Sequence, residues 1–300
     1  MLPPEGVRFA LGAARRQKNT LAMHASPVSP PPASAASWTA ALQERLPSWT
    51  RVQWLEQTGS TNPDVQALLR RSAARSDRYL VGAHHQTAGR GRGGKDWATE
   101  PGDALLFSCG WATALPLDRL PAFTLVAGLI AAQALDPAPS RRIQVKWPND
   151  LYTEHGKLAG ILSETVGLPP LADKPPQRGL VLGIGINARH GARLGTALNR
   201  PVGDLERAGL HWDPAEAVAR IATAWDAALR RFERQGFVPF LADYLERDWL
   251  AGKALRLHTA DRVIDGRACG IDESGRLRLH TADGMQVFTL GHVQLAPESA

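Results

Sequence analysis

Between positions 89 and 97 the chain reads Gly89-Arg90-Gly91-Arg92-Gly93-Gly94-Lys95-Asp96-Trp97, directly after Gln86-Thr87-Ala88. Four of these nine residues are glycines and three are fixed cations. Glycine lets a backbone turn sharply and approach a ligand closely, and arginine presents a planar fork of donors matched to carboxylate and phosphate. The run therefore suits a mobile loop that closes N–H groups and guanidinium forks around an anion. The spacing of Gly89, Gly91, Gly93 and Gly94 fits neither a P-loop nor a dinucleotide fingerprint. By composition alone it reads equally as a flexible Arg-Gly segment or one that binds RNA.

Four more fragments accompany it: Gly59-Ser60-Thr61-Asn62 upstream, then Lys146-Trp147-Pro148-Asn149-Asp150-Leu151, Gly156-Lys157-Leu158-Ala159-Gly160-Ile161-Leu162 and Gly183-Ile184-Gly185-Ile186-Asn187. Each has a structural explanation when taken singly. Ser60 to Asn62 can cap a helix, Pro148 to Asp150 can form a turn, and Gly183 and Gly185 can serve close packing in a strand. His84 and His85 precede the loop at the end of an expected strand, a place that suits a structural or solvent-facing histidine better than a catalytic one.

The elements that must position these residues interleave helix and strand patterns from Trp38 onward. A short helix is expected over Leu42 to Leu46. Asn62-Pro63-Asp64 offers a cap, a proline at the first helical position and an acid in the first turn of a helix through Leu69. Strands are expected at Tyr79 to His84, Ala104 to Trp111, Ile143 to Trp147, Leu158 to Thr165 and Leu180 to Ile186, with a buried helix at Leu120 to Leu135. A long amphipathic helix over about Glu216 to Arg234 places Val218, Ile221, Ala222, Trp225, Leu229 and Phe232 at three- and four-residue spacing, and Gly236 ends it. A further short helix runs through Trp249. Beyond Gly252 come brief alternating segments at 254–257, 262–264, 267–270, 276–279 and 286–290, with turn signals at Ser274-Gly275 and Asp283-Gly284. This pattern predicts a mixed α/β domain over 38–250 followed by a small β-barrel over 251–297. Residues 1–37, rich in Pro, Ala and Ser, read as a disordered leader in which Met23 is an alternative start.

At 300 residues and 44% apolar content the chain can bury a full core and is not a disordered protein. Half of its net charge of +6 lies in the leader, where Arg8, Arg15, Arg16 and Lys18 face only Glu5. The remainder is an ordinary solvated surface, not the basic footprint of a nucleic-acid binder. Cys109 and Cys269 have neither the density of a disulfide scaffold nor the spacing of a zinc site, which points to a reducing cytoplasm. The uncharged stretch Leu120 to Leu135 is too short for a membrane span and holds Pro121 and Gln133. The tryptophans Trp49, Trp54, Trp111, Trp225 and Trp249 are expected in the core.

In this order and spacing the five fragments resemble the catalytic domain of biotin protein ligases over most of 52–190. With Gly236-Phe237 and the final small strands the resemblance extends from roughly 50 to 297. It implies a mixed sheet related to the class II aminoacyl-tRNA synthetase fold, followed by an SH3-like barrel. It also implies a two-step reaction. The carboxylate of biotin attacks the α-phosphate of Mg-ATP, giving biotinyl-5′-AMP and pyrophosphate. A lysine of a biotin carboxyl carrier protein domain, part of a biotin-dependent carboxylase, then displaces AMP.

Position by position, the resemblance puts Ser60, Thr61 and Gln86, with Asn62 beside them, at the ureido end of biotin. Gly89, Arg90, Gly91 and Arg92 wrap the carboxylate and phosphate, Lys157 sits at the reacting carboxylate, and Gly160 allows close backbone approach. Asn149 and Asn187 fall on the nucleotide side, as do Lys95 and Trp97, the latter able to stack on adenine. Two anions must meet and phosphoryl charge must be stabilised, so the chemistry asks for cations such as Arg90, Arg92 and Lys157, and for no nucleophile. Asp150 is a candidate to take the proton of the incoming lysine and equally a turn residue. Lys95 stands where the family usually carries arginine, which keeps the charge and loses the fork. Phosphates and waters can supply most Mg²⁺ ligands, so no protein ligand is assigned.

The closest alternative in chemistry is a lipoate-protein ligase, which shares fold and adenylation, and the intact arginine loop argues against it. A non-enzymatic biotin binder would have lost a reactive-site cation. Some family members carry an N-terminal DNA-binding domain, but only the Pro-rich leader stands before the catalytic region here, so neither DNA binding nor membrane association is expected. Monomer and homodimer are both compatible with the sequence.

Overall fold

The computed structural model describes residues 34–72, 74–137, 139–170 and 177–296. The expected leader lies outside them up to residue 33. Its last residues do not behave as leader: the Ser34 hydroxyl accepts from the Ser37 N–H at 3.2 Å and caps helix α1 (Ala35–Arg45), so the helix starts well before Leu42. Strand β1 (Arg51–Thr58) was not anticipated, because its burial does not alternate cleanly. Next come α2 (Thr61–Arg70), β2 (Arg78–Gln86) and β3 (Ala104–Thr113). Asn62 was expected as the cap of α2. That place belongs to Ser60, in extended conformation, and Asn62 is a buried residue of the first turn.

Helix α3 covers Leu120–Leu135 as expected, followed by β4 (Gln144–Lys146), β5 (Asp150–Thr153), β6 (Gly156–Gly167), β7 (Arg178–Asn187) and α4 (Gly191–Leu198). Then α5 (Pro214–Gln235) takes its cap from Asp213, whose carboxylate accepts from the Glu216 N–H at 2.8 Å, and α6 (Val238–Glu246) follows. No helix among the described residues is long and apolar enough to cross a membrane.

The first seven strands form one mixed sheet in the order β1-β2-β3-β7-β6-β5-β4, with β1 and β2 parallel and the remaining neighbours antiparallel. Its inner strands β3 and β7 are buried along nearly their whole length, as expected of strands covered on both faces. On one side lie α3 and α5, with Phe123, Leu129, Trp225 and Phe232 almost fully buried. On the other, α2 packs through Val65 and Leu69 on Val81, Val166 and Val181. That smaller layer leaves the neighbouring face of β6 and β7 open for the loop at 89–97.

After α6 the chain forms a second antiparallel sheet from β8 (Ala254–His258), β9 (Val263–Ile271), β10 (Leu277–Thr281), β11 (Gly284–Phe288) and β12 (His292–Leu295). Its order is β11-β10-β9-β8-β12. The segments expected separately at 262–264 and 267–270 are one strand, β9. The barrel expected from sequence is an open sheet here, since β11 and β12 form no ladder with each other among the described residues. Its inner residues Leu255, Leu257, Leu277 and Leu279 are fully buried and join the same hydrophobic core as α3 and α5.

Candidate functional site

The polar end of the site is built where α2 meets the sheet. Gln86, the last residue of β2, accepts the Thr61 N–H through Oε1 at 2.8 Å, an interaction that satisfies one of the open donors of the helix start and turns the Gln86 amide nitrogen the other way. The Thr61 hydroxyl lies 2.7 Å from that of Ser108 on β3, and Ser108 donates to Asn62 Oδ1 at 2.6 Å. Asn62 Nδ2 in turn donates to Glu164 at 2.7 Å. Glycine at 183 makes this possible: a Cβ there would run into the Asn62 amide.

The loop expected to be mobile is a small folded hairpin. Gly91 N–H donates to Lys95 C=O at 2.6 Å, Trp97 N–H to Gly89 C=O at 2.9 Å, and a short 3₁₀ turn occupies Arg92–Gly94, where Gly93 and Gly94 take positive φ of 69° and 74°. Trp97 lies flat against the sheet, and a side chain at Gly185 would strike its indole. Arg90 reaches Glu164 at 3.5 Å. Arg92 turns toward the second sheet and donates to the Gly291 carbonyl. Burial lowers the pKa of this guanidinium, with the Asp150 carboxylate pulling in the opposite direction.

The reactive end is aimed by an irregularity in β6. Asp150 pairs with Gly160 and Leu151 with Ala159, yet Tyr152 pairs with Lys157, so one extra residue is accommodated. Leu158 and Ala159 are both buried, while Lys157 and Gly160 are both partly exposed. A bulge of this kind re-aims a side chain, and here it puts Lys157 on the same face as Gly160. Lys157 Nζ pairs with Asp150 Oδ1 at 2.6 Å and lies 5.6 Å from the centre of the Trp97 ring. A Cβ at Gly160 would sit 3.3 Å from that Nζ and 3.4 Å from the carboxylate, so glycine keeps the floor beneath the pair clear.

Ser60, Thr61, Asn62, Gln86, Arg90, Gly91, Arg92, Trp97, Asn149, Lys157 and Gly160 all line one cavity, of about 50 Å³. Of the site residues proposed from the sequence, Gly89, Lys95, Asp150 and Asn187 do not. Gly89 is held under Trp97, where a Cβ would approach the Trp97 carbonyl to 2.7 Å. Asn187 lines an adjoining cavity of about 20 Å³ with Leu194, Leu198 and Arg200, and Trp97 and Lys157 border both spaces. Its Nδ2 donates at 3.2 Å to the carbonyls of Lys157 and Gly203, and Asn149 Nδ2 donates to that of Ile161 at 2.9 Å. Both amides therefore brace the backbone around the site.

Lysines crowd the outer rim. Lys146 Nζ stands over Tyr152 at 5.0 Å and over Trp249 at 5.4 Å, and Lys253 Nζ over Trp249 at 3.4 Å. Burial lowers the Lys146 pKa; Asp150 opposes this, and Lys157, Lys253 and Lys95 add to it. His292 on β12 is lowered by burial and then by Lys95, Lys146 and Arg92. Such a cluster of like charges is stabilised by a polyanion. Sequence reasoning passed over Glu164, Ser108, Lys146 and Arg200. Lys146 stood in the quoted motif, whereas Ser108 and Glu164 lie in ordinary strand sequence with no local signal. His84 Nδ1 accepts from the Trp54 indole at 3.2 Å, a structural role. Among the described residues no group of three or more His, Cys, Asp or Glu could hold a metal ion.

Residues 54–187 match the Biotin/lipoate A/B protein ligase family and residues 251–295 the Biotin protein ligase C terminal domain. The Bifunctional ligase/repressor BirA of Escherichia coli is 32% identical over 217 residues, 71% of this chain and 65% of that protein; the chain thus spans just under two thirds of the length of this bifunctional relative. The Biotin--[acetyl-CoA-carboxylase] ligases of Mycobacterium tuberculosis and Paracoccus denitrificans are each 30% identical, over 82% and 80% of this chain and 89% and 98% of their own. The solved structure of biotin protein ligase from Aquifex aeolicus in complex with biotin and ATP superimposes with a TM-score of 0.66 at 25% identity, covering 83% of this chain and 99% of that one. The first match takes in every residue of the cavity and the second begins just before the open sheet, and the two carboxylase ligases align over most of their own length: the chain belongs to the biotin protein ligase family.

Proposed function

We propose that this chain is an ATP-dependent biotin protein ligase. The observation that carries the reading is one cavity with two unlike ends, a fixed array of neutral donors and acceptors at Thr61 and Gln86 and a cationic end at Arg90, Arg92 and Lys157. Biotin has that polarity, a cyclic urea at one end and a carboxylate at the other. A lipoyl dithiolane has no such donors and would leave the polar groups unpaired, a loss that a site built for hydrogen bonding penalises strongly.

In the first step a carboxylate oxygen of biotin attacks the α-phosphorus of Mg-ATP, and the bond to the bridging oxygen breaks to release pyrophosphate. Lys157 and Arg92 offset the charge of the two approaching anions, and the Asp150 carboxylate orients Lys157 through their ion pair. The cavity beside Asn187, with Trp97 and Leu194 on its walls, takes the adenine side, and Lys146, Lys95 and Lys253 receive the departing phosphates. In the second step a lysine of a biotin carboxyl carrier domain attacks the mixed anhydride, AMP leaves, and Asp150, at the edge of the cavity, accepts the amine proton. Mg²⁺ enters with the nucleotide.

The division into a catalytic region, now taken from 35 to 250, and a C-terminal module from 251 to 297 belongs to this proposal. So do the kinship of the first with class II synthetases and the completion of the second into an SH3-like barrel. The unpaired thiols of Cys109 and Cys269 support a cytoplasmic setting. A carrier domain is the macromolecular partner, and no DNA-binding role is proposed. The test is transfer: with ATP, Mg²⁺ and biotin, the purified protein labels a carrier domain detectably by streptavidin, and Lys→Arg at the acceptor position abolishes labelling. Labelling that persists on the Lys→Arg carrier would contradict enzymatic transfer.

A further inference from the structure

The chain of hydrogen bonds behind Thr61 has a direction, and Glu164 sets it. A carboxylate only accepts, so the Asn62 amide must present Nδ2 to Glu164, at 2.7 Å, and Oδ1 to Ser108. That oxygen only accepts, so the Ser108 hydroxyl spends its one proton on Asn62, at 2.6 Å. Ser108 can then only accept from Thr61, at 2.7 Å, a much shorter contact than the 3.3 Å from Thr61 Oγ1 to Gln86 Oε1, and the Thr61 proton is spent on it. Thr61 Oγ1 is left with lone pairs toward the cavity, beside a Gln86 amide nitrogen that can only donate, since Oε1 is taken by the Thr61 N–H.

We infer that Glu164 is a specificity-determining residue that fixes the polarity of the urea-binding end, making Thr61 an acceptor for a ligand N–H while Gln86 donates to the ligand carbonyl. The inference rests on the ligase reading and extends it to a residue outside the cavity lining. Asn62, 3% exposed, and Ser108, fully buried, have no solvent with which to trade these bonds. The other acceptor near Asn62 Nδ2, the Leu162 carbonyl, is 3.4 Å away and the weaker partner. Without the carboxylate the Asn62 amide can turn over, Ser108 then donates to Thr61, and the Thr61 proton is released to the cavity side, where the ligand competes with Gln86 Oε1, 3.3 Å away. The same carboxylate meets Arg90 of the loop at 3.5 Å, so the polarity of one end and the seating of the loop share a single group.

The test measures dissociation constants by calorimetry for biotin and for its two cyclic carbamate analogues, in which one ureido N–H is replaced by oxygen at nearly constant shape. An oxygen facing Thr61 Oγ1 sets lone pair against lone pair, so wild-type protein rejects one carbamate by about tenfold or more relative to biotin. Glu164→Gln, whose amide can face Asn62 with either end, shrinks that ratio to a few-fold. Ser108→Ala cuts the relay and shrinks it equally, and adding Glu164→Gln to Ser108→Ala changes it no further. Ser108→Ala also serves if Glu164→Gln does not fold. Three results would overturn the inference: a Glu164→Gln protein whose affinities shift together with the ratio intact, full additivity of the two substitutions, or a wild type indifferent to the carbamate. Wild-type protein that binds none of the three ligands overturns the ligase reading together with the relay.

Discussion

Lys157 and Asp150 form the closest ion pair that lines or borders the cavity, at 2.6 Å, and both side chains are about one-fifth exposed. A pair this sheltered holds its geometry better than a surface pair, which suits a group that must meet an incoming carboxylate without reorganising. Lys157→Gln is therefore expected to slow adenylate formation about 100-fold to 1,000-fold while biotin affinity in the absence of ATP changes far less. Single-turnover kinetics beside equilibrium titration separate the two, and a parallel loss of affinity would show that Lys157 only binds. Much of this end was legible in the sequence, because Arg90, Arg92, Lys157 and Gly160 lie in runs whose residue types are unusual. Glu164 and Ser108 were not legible. Their roles arise from α2 lying across β3 and β6, which brings together residues 62, 108 and 164, and neither stands in a run that differs from an ordinary buried strand.

Among the elements, β6 does the most positioning. Its bulge beside Leu158 decides which face Lys157 occupies, and a strict alternation would have turned Lys157 or Gly160 away from the cavity. The strand was expected at Leu158 to Thr165, but the bulge was hidden, because Leu158-Ala159 reads equally as continuous burial. The edge strand β4 is covered by the segment after α6, where Val145 N–H donates to Arg247 C=O at 2.8 Å and Trp249 N–H to Val145 C=O at 3.0 Å. Between those two residues is Asp248, buried, with its pKa pushed up to about 6 by desolvation against the pull of the Leu250 N–H and Lys253. The folded state holds this proton more tightly than the unfolded chain, so its contribution is fully present below about pH 4 and is lost as pH rises through about 6. Asp248→Asn, which can still accept from Leu250, is expected to stabilise the protein by up to about 3 kcal/mol at pH 7.5 and by little at pH 4. Urea melts at the two pH values check this, and an equal gain at both would contradict it.

At the scale of the molecule, two modules share one core. The second sheet was expected as an appended barrel, yet Leu255, Leu257, Leu277 and Leu279 pack into the same cluster as Leu125, Leu129 and Trp225. The Trp147 indole donates to Gly275 C=O at 3.3 Å, and Arg92 bonds to Gly291 C=O. Sequence pattern marks where texture changes but not whether two textures bury a common face, since apolar residues look alike on either side of the boundary. A shared core predicts that residues 35–296 unfold in one cooperative transition, with calorimetric and van't Hoff enthalpies in agreement; two resolved transitions would mean that the sheet folds separately. The central claim, that one cavity joins a urea-binding end to a carboxylate-activating end, is tested most directly by pyrophosphate release from purified protein with Mg-ATP. Biotin is expected to drive release and lipoate to give little, and a preference for lipoate, or release indifferent to either acid, would contradict the account.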